Sequence, residues 1–276
     1  MRYRTILTVL GVNDFRDDLD NAIVIGQSVD AHLSVVVMAI TAPPPFGASA
    51  EIVSAVRLEE REGNLAKLAE STRQAEEQLA SSGLSFDVQS LCTEAAWADE
   101  EIAARALYVD LTLVGHRAAR DKELCRQIVN GTLFQAPAPM LLNPSDHPTD
   151  LEPSSVLIAW NSRIEAARAV QQALPILQQA RAVHLVMVDP GASASGEDPG
   201  ADVAAYLARQ GVALSVEAVA SGGRPIEKVL KQRTIEIGAE LIVMGAYGHS
   251  RLREHIFGGV TRAMIETANR PLFLSH

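Results

Sequence analysis

The chain has 276 residues, of which 47% are hydrophobic and 21% charged, and its formal net charge is −10. This length and composition are typical of one large or two medium globular domains. The negative charge argues against a protein that binds along a nucleic-acid backbone, because such binding needs a concentrated cationic surface. No apolar stretch approaches the roughly 20 residues that span a bilayer, so no membrane partner is expected either.

The cysteines and the N-terminal residues give information on the cellular location of the protein. Cys92 and Cys125 lie far apart and form no metal or redox motif, which fits a reducing cytoplasm. The apolar run at 6–10 is short, and acidic residues follow it at once. It is therefore interpreted as a first β-strand and not as a signal peptide, and a cytoplasmic protein is expected.

In the first half, apolar runs of strand length alternate with helix-like stretches. A loop that begins at Thr41 and holds three consecutive prolines precedes a long, charged helix. Strands are predicted at 6–10, 33–38, 111–115 and 139–142, and helices over 51–81 and 123–134.

The second half shows the same alternation after a polar, proline-broken linker at 143–150. Gly211 suits the end of a helix, and Pro225 suits the first turn of the next one. Strands are predicted near 155–160, 183–188, 212–218, 240–245 and 271–275, and helices near 163–180, 199–210, 225–238 and 257–269.

The two halves repeat the same kinds of segment in the same order. Continuous apolar runs indicate strands that are covered on both faces, and their alternation with helices indicates βαβ crossovers and a parallel sheet. The sequence therefore predicts an α/β protein of two tandem domains, at 1–146 and 152–276, each with a doubly wound, Rossmann-like parallel sheet.

A glycine-rich stretch follows the fourth predicted strand of the second half, where open α/β sheets place their ligands. Gly245 and Gly248 are separated by two residues, and Gly258 and Gly259 stand immediately before an apolar-periodic helix. Glycine permits unusual backbone angles and lets main-chain N–H groups approach an anion. The spacing is neither that of a Walker loop nor that of a dinucleotide fingerprint.

Neighbouring residues supply further donors for an anion. The helix that begins near Val260 would direct its free N–H groups and its positive dipole end to the same point. Ser250 and Thr261 carry hydroxyl groups, and Arg251 carries a positive charge. The stretch is a candidate phosphate cradle; on spacing alone, glycines that merely mark turns remain the alternative.

The run Gly245-x2-Gly248-x9-Gly258 resembles the nucleotide signature of the universal stress protein family, G-x2-G-x9-G-[S/T]. Residues 156–162 resemble that family's first strand and turn, and residues 270–274 its closing strand. The resemblance covers nearly the whole chain and is stronger in the second half. It implies two domains of the adenine nucleotide α-hydrolase-like fold, which form a pseudo-dimer by pairing their closing strands.

The resemblance also implies an ATP or AMP site in the second domain, with Mg²⁺ as an accompanying ion. Asn161 would face the adenosine, and the glycine turn with Thr261 would hold the phosphates. Asn161 stands where the family usually has Asp, and Gly259 where the signature has Ser or Thr, which predicts weaker binding. The implied site consists of Ala159, Asn161, Val188, Met244, Gly245, Gly248, Gly258, Gly259, Val260 and Thr261, with Ser250 and Arg251 beside it.

The first half departs from this pattern. Ala118 stands at the position of the second glycine, and Gly131 lies sixteen residues beyond Gly115, where the second half has thirteen between Gly245 and Gly258. Gly131 is expected inside a helix. The first domain is therefore interpreted as degenerate for nucleotide, with a structural or partner-binding role.

No catalytic or metal constellation stands out. His249, His255 and His276 lack the convergent partners that a metal site needs, and they are interpreted as surface residues; His184, in mid-strand, is interpreted as a packed residue. The leading hypothesis is a stress-response protein that binds adenine nucleotide and hydrolyses it slowly at most. The alternatives are a nucleotide-free interaction module that acts through protein partners or as a homodimer, and a nucleotide-dependent enzyme on the same scaffold.

Overall fold

A computed structural model describes residues 3–41, 50–145, 149–191, 200–247 and 259–276, with the backbone alone for 50–60. The chain packs into two compact units, which divide between residues 138 and 139. Within the described ranges, no helix combines the length and the apolar character needed to cross a membrane.

The N-terminal unit is built on four parallel strands in the order β3-β2-β1-β4. The strands are β1 (Thr5–Gly11), β2 (His32–Thr41), β3 (Phe86–Glu94) and β4 (Leu111–Val114). The helices are α1 (Arg16–Val29), α2 (Ala50–Ala80), α3 (Ala98–Ala106), α4 (His116–Arg120) and α5 (Lys122–Val129), and a π-helical turn (Asn130–Phe134) continues α5.

The central strands of this unit are buried along their length. In β1 the five residues between Thr5 and Gly11 are all buried, and in β4 all four residues are. Burial of successive residues means that both faces of the sheet are covered, as continuous apolar runs predict. The helix predicted over 51–81 is confirmed as α2, and the run at 6–10 is confirmed as part of β1.

The C-terminal unit has six strands in the order β5-β10-β9-β6-β7-β8. All neighbours are parallel except β5 and β10. The strands are β5 (Met140–Leu142), β6 (Ser155–Ala159), β7 (Ala182–Val188), β8 (Leu214–Val219), β9 (Leu241–Gly245) and β10 (Leu272–Ser275). The helices are α6 (Ile164–Gln172), α7 (Leu174–Leu177), α8 (Ala201–Arg209), α9 (Ile226–Glu236) and α10 (Gly259–Thr267).

The predicted pairing of the two closing strands is confirmed. β5 and β10 are antiparallel, with Leu142 opposite Leu272 and Met140 opposite Leu274. β5 precedes the predicted linker in sequence, yet it packs as part of the C-terminal unit. The domains at 1–146 and 152–276 follow the sequence repeat and stay a proposal. The compact units of the structure are divided before β5.

Two local predictions in this unit need correction. The helix predicted over 163–180 is broken into α6 and α7, because Pro175, at the start of α7, has no N–H to continue the helical hydrogen bonding. Pro225 is the N-cap of α9 and not a residue of its first turn. Gly211 does follow α8 in the left-handed conformation, with φ +80°, as predicted for a helix end.

Candidate functional site

The parallel strands of the C-terminal unit bring several predicted site residues to one edge of the sheet. β6 lies between β7 and β9, and Ala159 at its end is paired with Val186 and with Met244. Val188 ends β7, and Gly245 ends β9. Since carboxyl ends of parallel strands share an edge, Ala159, Val188, Met244 and Gly245 lie at the place where open α/β sheets bind ligands.

Asn161 lies just beyond β6 at the same edge and is exposed. Its side-chain Oδ1 accepts a hydrogen bond from the Arg163 amide at 3.2 Å. Ser162 between them has a left-handed backbone, with φ +59°. This turn leads the chain from β6 into α6, and the acceptor that it uses is one that aspartate also carries.

Gly245 has a packing role. A Cβ at this position would lie 2.5 Å from the Ala166 nitrogen and 2.6 Å from the Glu165 carbonyl carbon. Both atoms belong to the backbone of α6, which therefore approaches β9 too closely for any side chain. Close packing of a helix on a strand is thus sufficient to require this glycine, and its place in a ligand site stays a prediction.

Two amides of the predicted cradle already donate to protein oxygens. The Ala246 amide donates to the Ser275 carbonyl at 2.7 Å, and the Tyr247 amide donates to Thr261 Oγ1 at 3.1 Å. Tyr247 is in the left-handed conformation, with φ +59°. Thr261 is buried, and its hydroxyl joins the first turn of α10 to the end of β9. Its own hydroxyl proton is not used in that bond.

The first residues of α10 are more open. Gly259 is exposed and Val260 half-buried, and a Cβ on Gly259 would meet no atom of the described residues within 4 Å. The first turn of a helix carries N–H groups that lack intrahelical partners. The remaining predicted residues of the stretch, Gly248, Ser250, Arg251 and Gly258, lie outside the described residues, as do His249 and His255.

Sequence reasoning missed a polar pair at this edge. Asp189 follows β7 with φ +46°, and its Oδ1 accepts a hydrogen bond from the Ser221 amide, just beyond β8, at 2.8 Å. Hydrogen bonds from the hydroxyl and the amide of Ser221 lower the pKa of the Asp189 carboxyl. An acidic residue directly after a predicted strand was the available signal.

The two described histidines of this unit, His184 and His276, have protein partners. His276 is half-buried, and its Nδ1 donates to the Ala246 carbonyl, just beyond β9, at 2.9 Å. His184 is half-buried on β7, with Nδ1 2.9 Å from Ser215 Oγ on β8. Within the described ranges, no group of three or more His, Cys, Asp or Glu side chains is arranged to hold a metal ion.

The corresponding edge of the N-terminal unit contains an internal carboxylate. Gly115 follows β4, and a Cβ on it would lie 2.1 Å from Asp18 Cγ. The Asp18 carboxylate accepts hydrogen bonds from the Arg117 amide at 3.0 Å and the Ala118 amide at 2.9 Å. The amides that follow the fourth strand are thus occupied by a negatively charged group of the protein itself.

Ionisable side chains surround this buried carboxylate. His116 is buried, with Nδ1 3.4 Å from Asp18 and Nε2 3.8 Å from Asp17. Arg117 forms ion pairs with Asp14 and Asp17. Burial raises the pKa of the Asp18 carboxyl, although its two amide bonds and the neighbouring His116 and Arg117 act in the opposite direction.

The second glycine of the first half is structural. Gly131 lies in the π-helical turn after α5, which confirms that it falls inside a helix. A Cβ there would lie 2.5 Å from the Asp99 carbonyl oxygen and 3.1 Å from the Ala103 amide nitrogen. Gly131 therefore allows this turn to contact the backbone of α3.

Residues 154–276 match the sequence model of the universal stress protein family. This half of the chain is a universal stress protein domain. No curated protein sequence matches the chain.

Solved structures extend the likeness to both halves. A universal stress protein from Archaeoglobus fulgidus DSM 4304 aligns with a TM-score of 0.63 and 17% identity, over 98% of this chain and 95% of its own. A putative universal stress protein from Pseudomonas aeruginosa UCBPP-PA14 aligns with a TM-score of 0.59 and 17% identity, over 99% and 93%. At such identity the likeness shows the fold alone, and this fold is the predicted tandem of two Rossmann-like domains.

Proposed function

We propose that the universal stress protein domain binds an adenine nucleotide, ATP or AMP, at the carboxyl edge of its sheet. The role proposed for the protein is a regulatory one in the stress response, within the cytoplasm. The observation that carries the proposal is the family match over 154–276, which covers both the strand ends at Ala159, Val188 and Met244 and the start of α10.

The described contacts indicate which residues bind each part of the nucleotide in this proposal. Asn161, just beyond β6, is the proposed contact for the adenosine, and the exposed carboxylate of Asp189 is an additional acceptor for hydroxyl groups of a ribose. The amides of Ala246 and Tyr247 are engaged. Phosphate binding is therefore assigned to the first turn of α10, whose free N–H groups and dipole favour an anion.

The other proposed phosphate contacts are side chains and one ion. Arg251 supplies a positive charge, and Ser250 and Thr261 supply hydroxyl protons; the Thr261 oxygen accepts from Tyr247 and still has its proton to donate. Mg²⁺, where it accompanies the nucleotide, is bound largely through the phosphates and water. We assign no nucleotide to the N-terminal unit, because the Asp18 carboxylate occupies its corresponding amides.

Hydrolysis is proposed to be slow at most. Attack by water on a phosphate needs a group that positions or deprotonates the water. Asp189 is the carboxylate described at this edge, and its hydrogen bonds with Ser221 lower its pKa, which makes it a weak base.

The proposal is tested by extraction and titration. Acid extracts of freshly purified protein are expected to contain ATP, ADP or AMP, and calorimetry with and without Mg²⁺ is expected to show one site per chain. Gly258→Val is expected to abolish this binding, and Gly63→Val, on an exposed face of α2 where the structure leaves room for a side chain, serves as a matched glycine control. Clean extracts together with no heat of binding would refute the proposal.

A nucleotide-free interaction module is the second candidate. The occupied amides of Ala246 and Tyr247 favour it, because they reduce the number of donors left for a phosphate. Its proposed partners are other proteins or a second copy of the chain. Sedimentation of the purified protein, with and without nucleotide, measures self-association directly, and recovery of a stable dimer without bound nucleotide would favour this candidate.

A further inference from the structure

Three side chains form a continuous hydrogen-bonded relay in the N-terminal unit, at the start of β2 and β3. His32 Nδ1 lies 2.8 Å from Ser85 Oγ. His32 Nε2 lies 2.7 Å from Asp87 Oδ1. The second carboxylate oxygen of Asp87 accepts from the Ser34 hydroxyl at 3.2 Å. Serine, histidine and aspartate thus stand in a row, at the end of these strands away from the carboxyl edge.

The hydrogen bonds determine which role each group takes. A carboxylate can only accept, so the His32 Nε2 atom carries the proton that is donated to Asp87. In the neutral form of the ring, Nδ1 is then the acceptor, and the Ser85 hydroxyl is placed to donate to it. This is the arrangement of nucleophile, general base and orienting carboxylate that activates serine, with the two ring nitrogens in exchanged roles.

The C-terminal unit contains a natural comparison. His184 on β7 and Ser215 on β8 are paired, with Nδ1 2.9 Å from Ser215 Oγ. Among the described side chains, no carboxylate forms an ion pair with His184. The same histidine–serine contact thus occurs twice in the chain, once with an orienting aspartate and once without it.

We propose that Ser85 is a nucleophile toward small activated acyl esters, with His32 as its general base and Asp87 as the residue that positions His32. Ser85 is exposed, and His32 and Asp87 keep 35% and 43% of their side-chain surface accessible. An ester can therefore reach the hydroxyl from solvent. This exposed setting suits small, unhindered acyl groups.

The proposed reaction has two balanced steps. Ser85 Oγ forms a bond to the ester carbonyl carbon as its proton passes to His32 Nδ1, and the bond to the leaving alcohol breaks as that proton is returned to the alcohol oxygen. Water then attacks the acyl-Ser85 ester, gives a proton to His32 Nδ1, and releases the carboxylic acid while Ser85 regains its proton.

The test uses the full chain and p-nitrophenyl acetate, with peptide mass spectrometry to locate the acetyl group. Acetylation is expected at Ser85 and not at Ser215 of the same molecules, a comparison that no folding defect can affect. His32→Gln is expected to slow Ser85 acetylation about a hundredfold, the usual contribution of a general base. Ser215→Ala is the matched control and is expected to leave the rate unchanged.

The role of Asp87 is tested separately. Asp87→Asn is expected to slow acetylation, and nitrogen-15 NMR of the His32 ring is expected to show the Nε2–H tautomer in the wild-type chain and a mixture in the variant. Equal acetylation of Ser85 and Ser215 would overturn the proposal. So would an Asp87→Asn variant that keeps both the wild-type rate and the wild-type tautomer.

Discussion

The Asp18 carboxylate lies directly over Gly115, where a Cβ would stand 2.1 Å from its Cγ. The contact lets Asp18 bind the two amides that follow β4. In the C-terminal unit the glycine at the end of β9, Gly245, is covered by the α6 backbone instead. The two halves thus keep a glycine at the same point of the fold and use it for different contacts.

The raised pKa of Asp18 predicts how the free energy of unfolding depends on pH. Because burial raises its pKa in the folded state above the ordinary 3.8, the folded chain binds more protons than the unfolded chain just above that pH. Its contribution to stability is therefore greatest below pH 3.8 and falls as the pH rises through the folded pKa. The free energy of unfolding in urea, relative to Asp18→Asn, is expected to decrease over this range.

Asp17 is the matched control for that experiment. A hydrogen bond from the Arg117 guanidinium lowers the Asp17 pKa below 3.8, so its contribution is present above pH 3.8 and is lost as the pH falls through the folded value. The wild-type chain is expected to lose stability relative to Asp17→Asn on acidification. If stability changed with pH in the same direction for both pairs, the opposite pKa shifts of Asp18 and Asp17 would be contradicted.

Gly245→Ala is expected to destabilise the C-terminal unit. The added methyl group would meet two backbone atoms of α6 at 2.5 and 2.6 Å, and moving a helix to accommodate it costs about 1–3 kcal/mol. Gly259→Ala adds the same group in open space on α10 and is expected to be neutral or stabilising by up to about 1 kcal/mol. Urea titrations measure the free energy of unfolding of both variants. Equal values would show that α6 moves away from β9 at no cost.

Gly259→Ser is expected to tighten the proposed nucleotide binding. It restores the hydroxyl of the family signature at an exposed site with room for a side chain, and a hydrogen bond to a charged group contributes about 1.5–3 kcal/mol, or roughly 10- to 100-fold in affinity. Calorimetry with Mg-ATP measures the change. Gly259→Ala is the control without a hydroxyl, and an equal gain in both variants would exclude the hydroxyl as its cause.

Thr261→Val removes the acceptor for the Tyr247 amide while keeping the side-chain shape. A buried amide left without this bond costs about 1–3 kcal/mol, so the free energy of unfolding is expected to fall by that amount. The affinity for nucleotide is expected to fall as well, because Thr261 joins β9 to α10. Thr261→Ser keeps the hydroxyl and is expected to stay close to wild type; a loss equal to that of the valine variant would assign the effect to the methyl group.

The buried strands were predictable because they are continuous apolar runs, whereas β3, which mixes polar and apolar residues and is partly exposed, was not predicted. The pairing of the closing strands at 139–142 and 271–274 was implied by the family resemblance. Contacts between distant side chains were not predictable. Asp18 meets Arg117 across 99 positions and His32 meets Asp87 across 55, and no local pattern indicates either pair. Gly245 was expected at a ligand site, but whether a glycine faces a ligand or a helix depends on packing that spacing does not reveal.

The antiparallel pairing of β5 with β10 determines where the chain can be cut. A fragment that begins at 152 would lack β5 and would leave the backbone donors and acceptors of β10 unpaired along one side, beside the buried side chains of Phe273 and Leu274. Such an exposed edge promotes association with other chains. A fragment that begins before Pro139 keeps β5 beside β10, so the boundary of the compact C-terminal unit lies inside what the repeat assigns to the other domain.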